Sequence, residues 1–116
     1  MDATTTTRYQ GMIAIIDVAG RVTLAEGVGV MRDAIRQEIK SGYKHILLNL
    51  AGVSYIDSAG LGELASAYIA VNNSGGKLKL VHAQQKVHTM LQVTKLYMLL
   101  AAYSNEPEAI ASFGLK

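Results

Sequence analysis

Cysteine is absent from this sequence of 116 residues, and so is any long apolar run. Without cysteine the chain can form neither a disulfide framework nor a thiolate site, which fits a reducing compartment, so we expect a cytoplasmic protein. No apolar run reaches the roughly 18 residues that a membrane-spanning helix needs. The stretch from Met1 to Arg8 has neither a basic start nor an apolar core. We therefore expect no targeting segment and no membrane association.

Charge of one sign is also scarce, because the formal net charge is only +2. Lysines and arginines are scattered from Arg8 to Lys116 and alternate with acids, so no basic stripe indicates a track for a phosphate backbone. We expect no binding to nucleic acid. Half of the residues are apolar, which is enough for one hydrophobic core in a chain of this length but not for two. Residues 1–116 are expected to form a single domain.

Sequence motifs for enzymatic chemistry are missing as well. A hydrolase nucleophile motif around Ser58 would need glycine at Ile56, and nothing in the sequence pairs a histidine with Ser58. A phosphate-binding loop ending at Lys77 would need glycine at Val71 and a hydroxyl residue at Leu78. The three histidines are too far apart in sequence for a ligand motif; they are His45, His82 and His88. We expect no enzyme activity, no cofactor and no metal.

The middle of the sequence predicts a central strand and the helix that follows it. The apolar run Ile46–Leu50 indicates a strand buried on both faces. A short connection is expected at Ala51–Gly52, after which Val53–Ile56 stays close to the core. Ser58 is the expected N-cap of a helix that ends near residues 73–76. The apolar stripe of this helix consists of Leu61, Leu64, Ala65, Tyr68 and Ile69.

Two glycines, Gly60 and Gly62, lie near the start of this predicted helix. Each costs a helix about 1 kcal/mol relative to alanine, so something other than helix stability must favour them. Two missing Cβ atoms would expose backbone beside the Ser58 hydroxyl, where another molecule could approach closely. Leu61 between them either packs inward or projects towards that molecule. The pattern predicts a docking and modification site, although Ser58 alone would fit a simple helix cap.

The rest of the chain alternates between strand and helix patterns. This alternation predicts an α/β fold with a mixed, largely parallel sheet of about four to five strands and helices packed over it. The expected strands are an edge strand at Thr4–Tyr9, a hairpin partner at Met12–Ala19 ended by Gly20, a strand at Lys77–His82 and a last strand within Leu96–Ala102. The expected helices are one with Val28, Met31, Ile35 and Ile39 on one face, one at Gln85–Thr94, and one capped by Ser104 or Asn105 with Pro107 in its first turn.

Four segments of the sequence resemble a STAS domain, and more narrowly the bacterial anti-sigma-factor antagonists. The segments are Ile46–Leu50, Val53–Gly62, Gly75–Val81 and Val87–Leu96. The similarity extends from about Gly11 to Phe113, and its specific part is Asp57-Ser58-Ala59-Gly60-Leu61-Gly62. In that family an anti-sigma factor that is itself a serine-protein kinase phosphorylates the serine after the aspartate. The unphosphorylated antagonist binds that kinase and frees a sigma factor.

The resemblance implies that Ser58 is the phosphorylation site, with a phosphatase as a further partner. It also implies a partner-binding surface, made of Asp57, Ser58, Ala59, Gly60, Leu61, Gly62 and Thr23. Asp57 would either stabilise the helix dipole or orient the incoming kinase or its nucleotide. The chain departs from the family in two places. Many relatives have a second hydroxyl residue at the position of Ala59, and an acidic pair thought to face the kinase is missing from Gly20–Thr23.

Three functions are therefore considered. The expected one is a non-enzymatic switch whose binding to an anti-sigma kinase is controlled by phosphorylation of Ser58. The alternative is a structural STAS subunit of a larger signalling assembly or of a lipid transporter, in which the same surface is a permanent interface and Ser58 is never modified. A sensor of a small ligand is the third, and the sequence shows no pocket signature for it.

Overall fold

The structure is a computed structural model that describes residues 3–115. Its centre is a five-stranded sheet whose strands lie in chain order. They are β1 (Thr4–Gln10), β2 (Ile13–Val22), β3 (His45–Ile56), β4 (Lys77–Val81) and β5 (Ala102–Tyr103). β1 is antiparallel to β2, and every other neighbouring pair is parallel. The predicted α/β fold, its hairpin and its largely parallel sheet are thus confirmed.

Helices cover both faces of the sheet. Among residues 3–115 they are α1 (Val30–Lys40), α2 (Ser58–Asn73), α3 (Gln85–Val93) and α4 (Glu106–Ala111). The first three connect parallel strands and pack on one face, as right-handed crossovers require. α4 packs on the other face through Ala109, and Phe113, which follows the helix, packs there with it.

The alternation of side chains along β3 shows how one strand supplies both cores. Ile46 and Leu48 point towards α1, α2 and α3, whereas Leu47 between them points towards α4. All three side chains are fully buried. The apolar run therefore forms a central strand because only a strand can bury consecutive side chains on two opposite faces.

Strands β2 and β3 are longer than the sequence predicted. β2 continues through Gly20, and β3 continues through Ala51–Gly52, where a connection was expected. The two strands stay paired because register shifts absorb the irregular residues. At Gly52 a Cβ atom would lie 2.9 Å from the Cβ of Ala19, so the glycine permits a close approach of the strands. The glycines mark irregular pairing within the strands and not their ends.

The ends of the chain's helices differ less from prediction. α1 begins two residues after Val28, whose side chain is exposed. The last strand was expected within Leu96–Ala102, but most of that run is not a strand. Leu96–Met98 forms a 3-10 turn, and β5 consists of Ala102 and Tyr103. Asn105, one of the two residues predicted to cap α4, is its N-cap. Its side chain accepts a hydrogen bond from the Glu108 N–H at 2.9 Å.

Candidate functional site

Asp57 and Ser58 lie at the carboxyl end of β3, where the chain leaves the sheet and enters α2. This is the edge at which sites on open parallel sheets are usually found. The loop between β2 and α1 lies beside them. Ser58 is exposed, and its hydroxyl makes no hydrogen bond to any residue from 3 to 115. The predicted acceptor is thus accessible to solvent and to another protein.

The N-cap of α2 is Asp57, so the prediction that Ser58 caps this helix is wrong. Asp57 has an extended backbone, and its Oδ1 accepts hydrogen bonds from the N–H groups of Ala59 at 3.0 Å and Gly60 at 3.1 Å. A carboxylate at this position satisfies free helix N–H groups and also stabilises the positive end of the helix dipole. Ser58 is consequently the first helical residue, and its hydroxyl is left without a capping role.

The second oxygen of Asp57 holds the neighbouring loop. Oδ2 accepts a hydrogen bond from the N–H of Leu24 at 3.0 Å. The hydrogen bond from Leu24, followed by those from Gly60 and Ala59, keeps the pKa of Asp57 below its ordinary value. The carboxylate is therefore ionised at neutral pH and bound to three backbone donors. Of the two roles left open for Asp57, this geometry favours the structural one, and the orientation of a nucleotide stays a prediction.

Gly60 and Leu61 lie inside the domain, which corrects their expected place on a docking surface. A Cβ atom at Gly60 would lie 2.4 Å from the carbonyl oxygen of Val22 and 2.6 Å from Cγ1 of Ile56. The glycine therefore allows α2 to start close against the ends of β2 and β3. Leu61 is 4% exposed and packs into the large core.

Gly62 has the surface position that was predicted for both glycines. It is exposed, and apart from the adjoining backbone of α2 itself, nothing in residues 3–115 comes within 4 Å of a Cβ placed there. Ala59, which is half-buried, lies between Ser58 and the buried Gly60. Of the predicted surface, Ser58 and Gly62 are the exposed residues of α2.

Thr23 shapes the β2–α1 loop from within. Thr23 is only 6% exposed, so its side chain cannot make the expected contact with a partner. The hydroxyl donates to the carbonyl oxygen of Glu26 at 3.1 Å and accepts from the Glu26 N–H at 3.1 Å. Leu24 and Val28 are the large apolar residues that this loop exposes, at 74% and 45%.

Glu63 is a buried acid of this site that sequence reasoning missed. Its two carboxylate oxygens accept hydrogen bonds from the N–H groups of Gly29 at 2.9 Å and Arg32 at 2.8 Å. Gly29 is the N-cap of α1 and has no side chain with which to cap it, so Glu63 caps α1 from the neighbouring helix. The sequence offered one signal for this contact. Glu63 is the one acid in the α2 sequence, and the start of α1 has no residue whose side chain could cap it. Asp57 and Glu63 together fix both ends of the β2–α1 loop to α2.

An apolar cleft lies between the carboxyl end of β3 and α3. It is lined by Tyr55, Ile56, Gln85, Lys86, Thr89 and Met90, and its volume is about 280 Å³. The guanidinium of Arg21 lies 5.0 Å from the centre of the Tyr55 ring. We give the name Ser58 surface to five exposed residues of the β2–α1 loop, the end of β3 and the start of α2; they are Leu24, Val28, Tyr55, Ser58 and Gly62.

No group of three or more His, Cys, Asp or Glu side chains within residues 3–115 is arranged to hold a metal ion. Within the same range, none of the helices has the length and apolarity needed to cross a membrane.

One known protein family matches most of this chain. The family model for the STAS domain matches residues 4–109. An anti-sigma F factor antagonist from Paenibacillus polymyxa is 31% identical over 67 residues, which cover 58% of this chain and 57% of that protein. The chain spans 57% to 64% of the length of the curated relatives it matches.

Solved structures resemble the fold over nearly the whole chain. An anti-sigma factor antagonist from Mycobacterium paratuberculosis has a TM-score of 0.86 at 18% identity, covering 98% of this chain and 96% of that one. SpoIIAA of Bacillus in its phosphorylated form has a TM-score of 0.70 at 20% identity, covering 94% and 98%. At these identities the likeness concerns the fold.

Proposed function

This chain belongs to the STAS domain family, and from that premise we propose that it is an anti-sigma-factor antagonist switched by phosphorylation of Ser58. In its unmodified form it binds an anti-sigma factor that is a serine-protein kinase, and a sigma factor is released. Phosphorylation of Ser58 ends that binding, and a phosphatase restores it. The protein acts in the cytoplasm by binding and has no enzymatic activity of its own.

The observation that carries this proposal is the free, exposed hydroxyl of Ser58. A hydroxyl that capped its own helix would have to give up that hydrogen bond before a kinase could modify it. Asp57 has taken over the capping, so Ser58 can be phosphorylated without loss of the cap. The names of the relatives support the same role, and SpoIIAA has been solved in a phosphorylated and an unphosphorylated form.

The electrostatics of the helix start explain why a phosphate would act as a switch. A phosphoserine adds about −1.5 to −2 charges at neutral pH. The N–H groups of Ala59 and Gly60 are already bound to the Asp57 carboxylate, so the phosphate cannot use them without displacing it. The new charge therefore stays at the surface beside a second negative group. A partner surface built for a small hydroxyl then faces a bulky dianion, and binding is weakened by repulsion and desolvation.

The acceptor is tested by incubation with ATP and the partner kinase, followed by mapping of the phosphate by mass spectrometry. Ser58→Ala should abolish the modification and leave the fold intact. Ser66→Ala is the matched control, because Ser66 is an exposed serine of the same helix. Equal modification of the Ser58→Ala variant, or a phosphate mapped to Ser54 or Ser66, would show that Ser58 is not the acceptor.

The Ser58 surface is tested by a pair of apolar substitutions. Leu24→Ser should weaken binding of the kinase without destabilising the fold, since Leu24 is 74% exposed and only its backbone N–H bonds to Asp57. Met12→Ser is the control, because Met12 is 65% exposed and lies at the opposite end of the sheet. An equal effect of the two variants would argue against docking at this surface.

A further inference from the structure

The two edges of the sheet differ in length. β5 at one edge consists of Ala102–Tyr103, whereas β1 at the other edge has seven residues, Thr4–Gln10. β1 pairs with β2 in one unbroken register, and β2 is its only neighbour in the sheet within residues 3–115. A very short edge strand is one way in which proteins prevent a sheet from pairing with another chain. That protection is present at β5 and absent at β1.

β1 also lacks the other features that protect an edge strand. Its sequence contains no proline and no lysine, and its pairing contains no bulge. Its one charged side chain, Arg8, is already bound within the domain. Nε of Arg8 donates to Asp17 Oδ2 at 2.8 Å, and Nη1 donates to Glu106 Oε2 at 3.0 Å. The edge therefore has no free charge that would repel another strand.

The β1–β2 hairpin determines which backbone groups of β1 point outward. Gln10 pairs with Ile13 across a two-residue turn, so these two residues exchange both of their hydrogen bonds. Hydrogen-bonded pairs alternate with non-bonded pairs along an antiparallel ladder. Every second residue from Gln10 back to Thr4 therefore bonds to β2. The residues whose N–H and C=O groups point away from the sheet are Thr5, Thr7 and Tyr9.

We propose that β1 pairs antiparallel with β1 of a second copy of this chain, so that one sheet continues through a two-fold symmetric dimer. Thr7 is both the middle residue of β1 and an outward-pointing one. A two-fold axis at Thr7 therefore pairs all of β1, with Thr7 opposite its own copy and Thr5 opposite Tyr9. This register forms about six backbone hydrogen bonds between the copies. The contact closes on itself, as a two-fold interface must.

The side chains that meet in this register suit each other, which is why we assign the edge to a second copy. Threonine opposite threonine, and a β-branched residue opposite an aromatic ring, are favourable cross-strand pairs. They occur here as Thr7 with its copy and as Thr5 with Tyr9. On the other face of the sheet Arg8 lies opposite Thr6, so no like charges face each other.

Helix α1 presents no charge to the second copy either. α1 contacts both β1 and α2. Arg32 and Arg36 line the groove between α1 and α2, so they lie on the side of α1 that faces α2. By the helical repeat, the opposite side of α1 carries Val30, Ala34 and Gln37, which are uncharged. The two α1 helices of the dimer would therefore approach each other without charge repulsion.

Sedimentation velocity of the full chain, from micromolar to millimolar concentration, should show a monomer that converts to a dimer. Thr7→Pro should abolish the dimer, because it removes the N–H at the two-fold axis. Proline is tolerated at an edge position whose N–H does not bond to the neighbouring strand. Thr7→Lys is a second variant that places like charges at the axis and should also abolish the dimer. Ala102→Lys, on exposed Ala102 of the opposite edge, is the matched control and should dimerise as the parent does.

A single introduced cysteine tests the register, because the sequence has none. Thr7→Cys should form a disulfide-linked dimer under mild oxidation, since directly opposed residues have Cα atoms about 5.5 Å apart, within the range of a disulfide. Gln10→Cys is the matched control, because Gln10 is an exposed residue of the same strand. In the proposed register the two copies of residue 10 lie roughly 20 Å apart, so this variant should stay unlinked.

Four results would overturn the proposal. They are a protein that stays monomeric at every concentration, a Thr7→Lys variant that dimerises as the parent does, equal cross-linking of the Thr7→Cys and Gln10→Cys variants, and open-ended aggregates in place of a dimer. Protection of the β1 amides from hydrogen exchange only when the kinase is added would assign the edge to that partner instead. Ser58 follows β3, which lies two strands from β1, so dimerisation and phosphorylation of Ser58 are tested separately.

Discussion

Gly60 and Gly62 lie two residues apart near the start of α2, and alanine at the two positions should change the free energy of unfolding in opposite directions. In a helix, alanine is favoured over glycine by about 1 kcal/mol, and this gain applies at both positions. The surroundings differ. A Cβ at Gly60 would lie 2.4 Å from the Val22 carbonyl oxygen, whereas a Cβ at Gly62 has nothing in residues 3–115 within 4 Å apart from the adjoining backbone of α2.

The clash at Gly60 outweighs the gain in helix propensity. Overpacking of a well-filled site costs about 1–3 kcal/mol, and the upper part of that range applies where the obstacle is backbone that cannot rotate away. Gly60→Ala should therefore lower the free energy of unfolding by about 2 kcal/mol after the helix gain is subtracted. Gly62→Ala should raise it by up to about 1 kcal/mol.

Urea denaturation of the parent and both variants measures this difference directly. A gap of about 3 kcal/mol between the variants should appear as a clear separation of their midpoints at an unchanged slope. A Gly60→Ala variant as stable as Gly62→Ala would refute the reasoning, because it would mean that α2 does not start against Val22. Titration of both variants with the kinase then asks whether the exposed Gly62 contributes to docking.

Two further predictions concern the acids that hold the β2–α1 loop. Glu63→Gln leaves one acceptor oxygen for two backbone N–H groups, so it should cost about 1–3 kcal/mol in urea denaturation, while Glu108→Gln on the surface of α4 should cost far less. Asp57 has a lowered pKa in the folded state, so its contribution to stability is present above its unfolded pKa, near 4, and is lost as the pH falls through the folded value. Asp57→Asn should therefore destabilise the protein at neutral pH and reduce the loss of stability on acidification; an acid transition of the variant identical to that of the parent would contradict this.

Local patterns in the sequence were sufficient for the order and type of the elements. The run at Ile46–Leu50 predicted a central strand, and the predicted hairpin of the first two strands and the Asn105 cap were also found. Each of these features depends on residues close together in the chain. The strand ends were wrong because Gly20 and Gly52 are tolerated inside β2 and β3 by contacts between the strands, which composition alone does not reveal.

The candidate site was only partly predictable for the same reason. Asp57 bonds to Leu24 across 33 positions, and Glu63 bonds to Gly29 across 34. No helical or strand periodicity reports contacts over such separations. Low helix propensity led to one predicted role, docking, for both Gly60 and Gly62. In the structure Gly60 faces β2 and Gly62 faces solvent.

The most direct test of the proposed switch compares two affinities of the partner kinase, one for the protein without phosphate on Ser58 and one for the protein with it. Both are measured by titration of one preparation, before and after modification. A local switch predicts a loss of about 100-fold, which needs only ~2.7 kcal/mol, with amide shift changes confined to residues 54–66 and the β2–α1 loop. Equal affinities of the two forms, or shift changes throughout the domain, would contradict it.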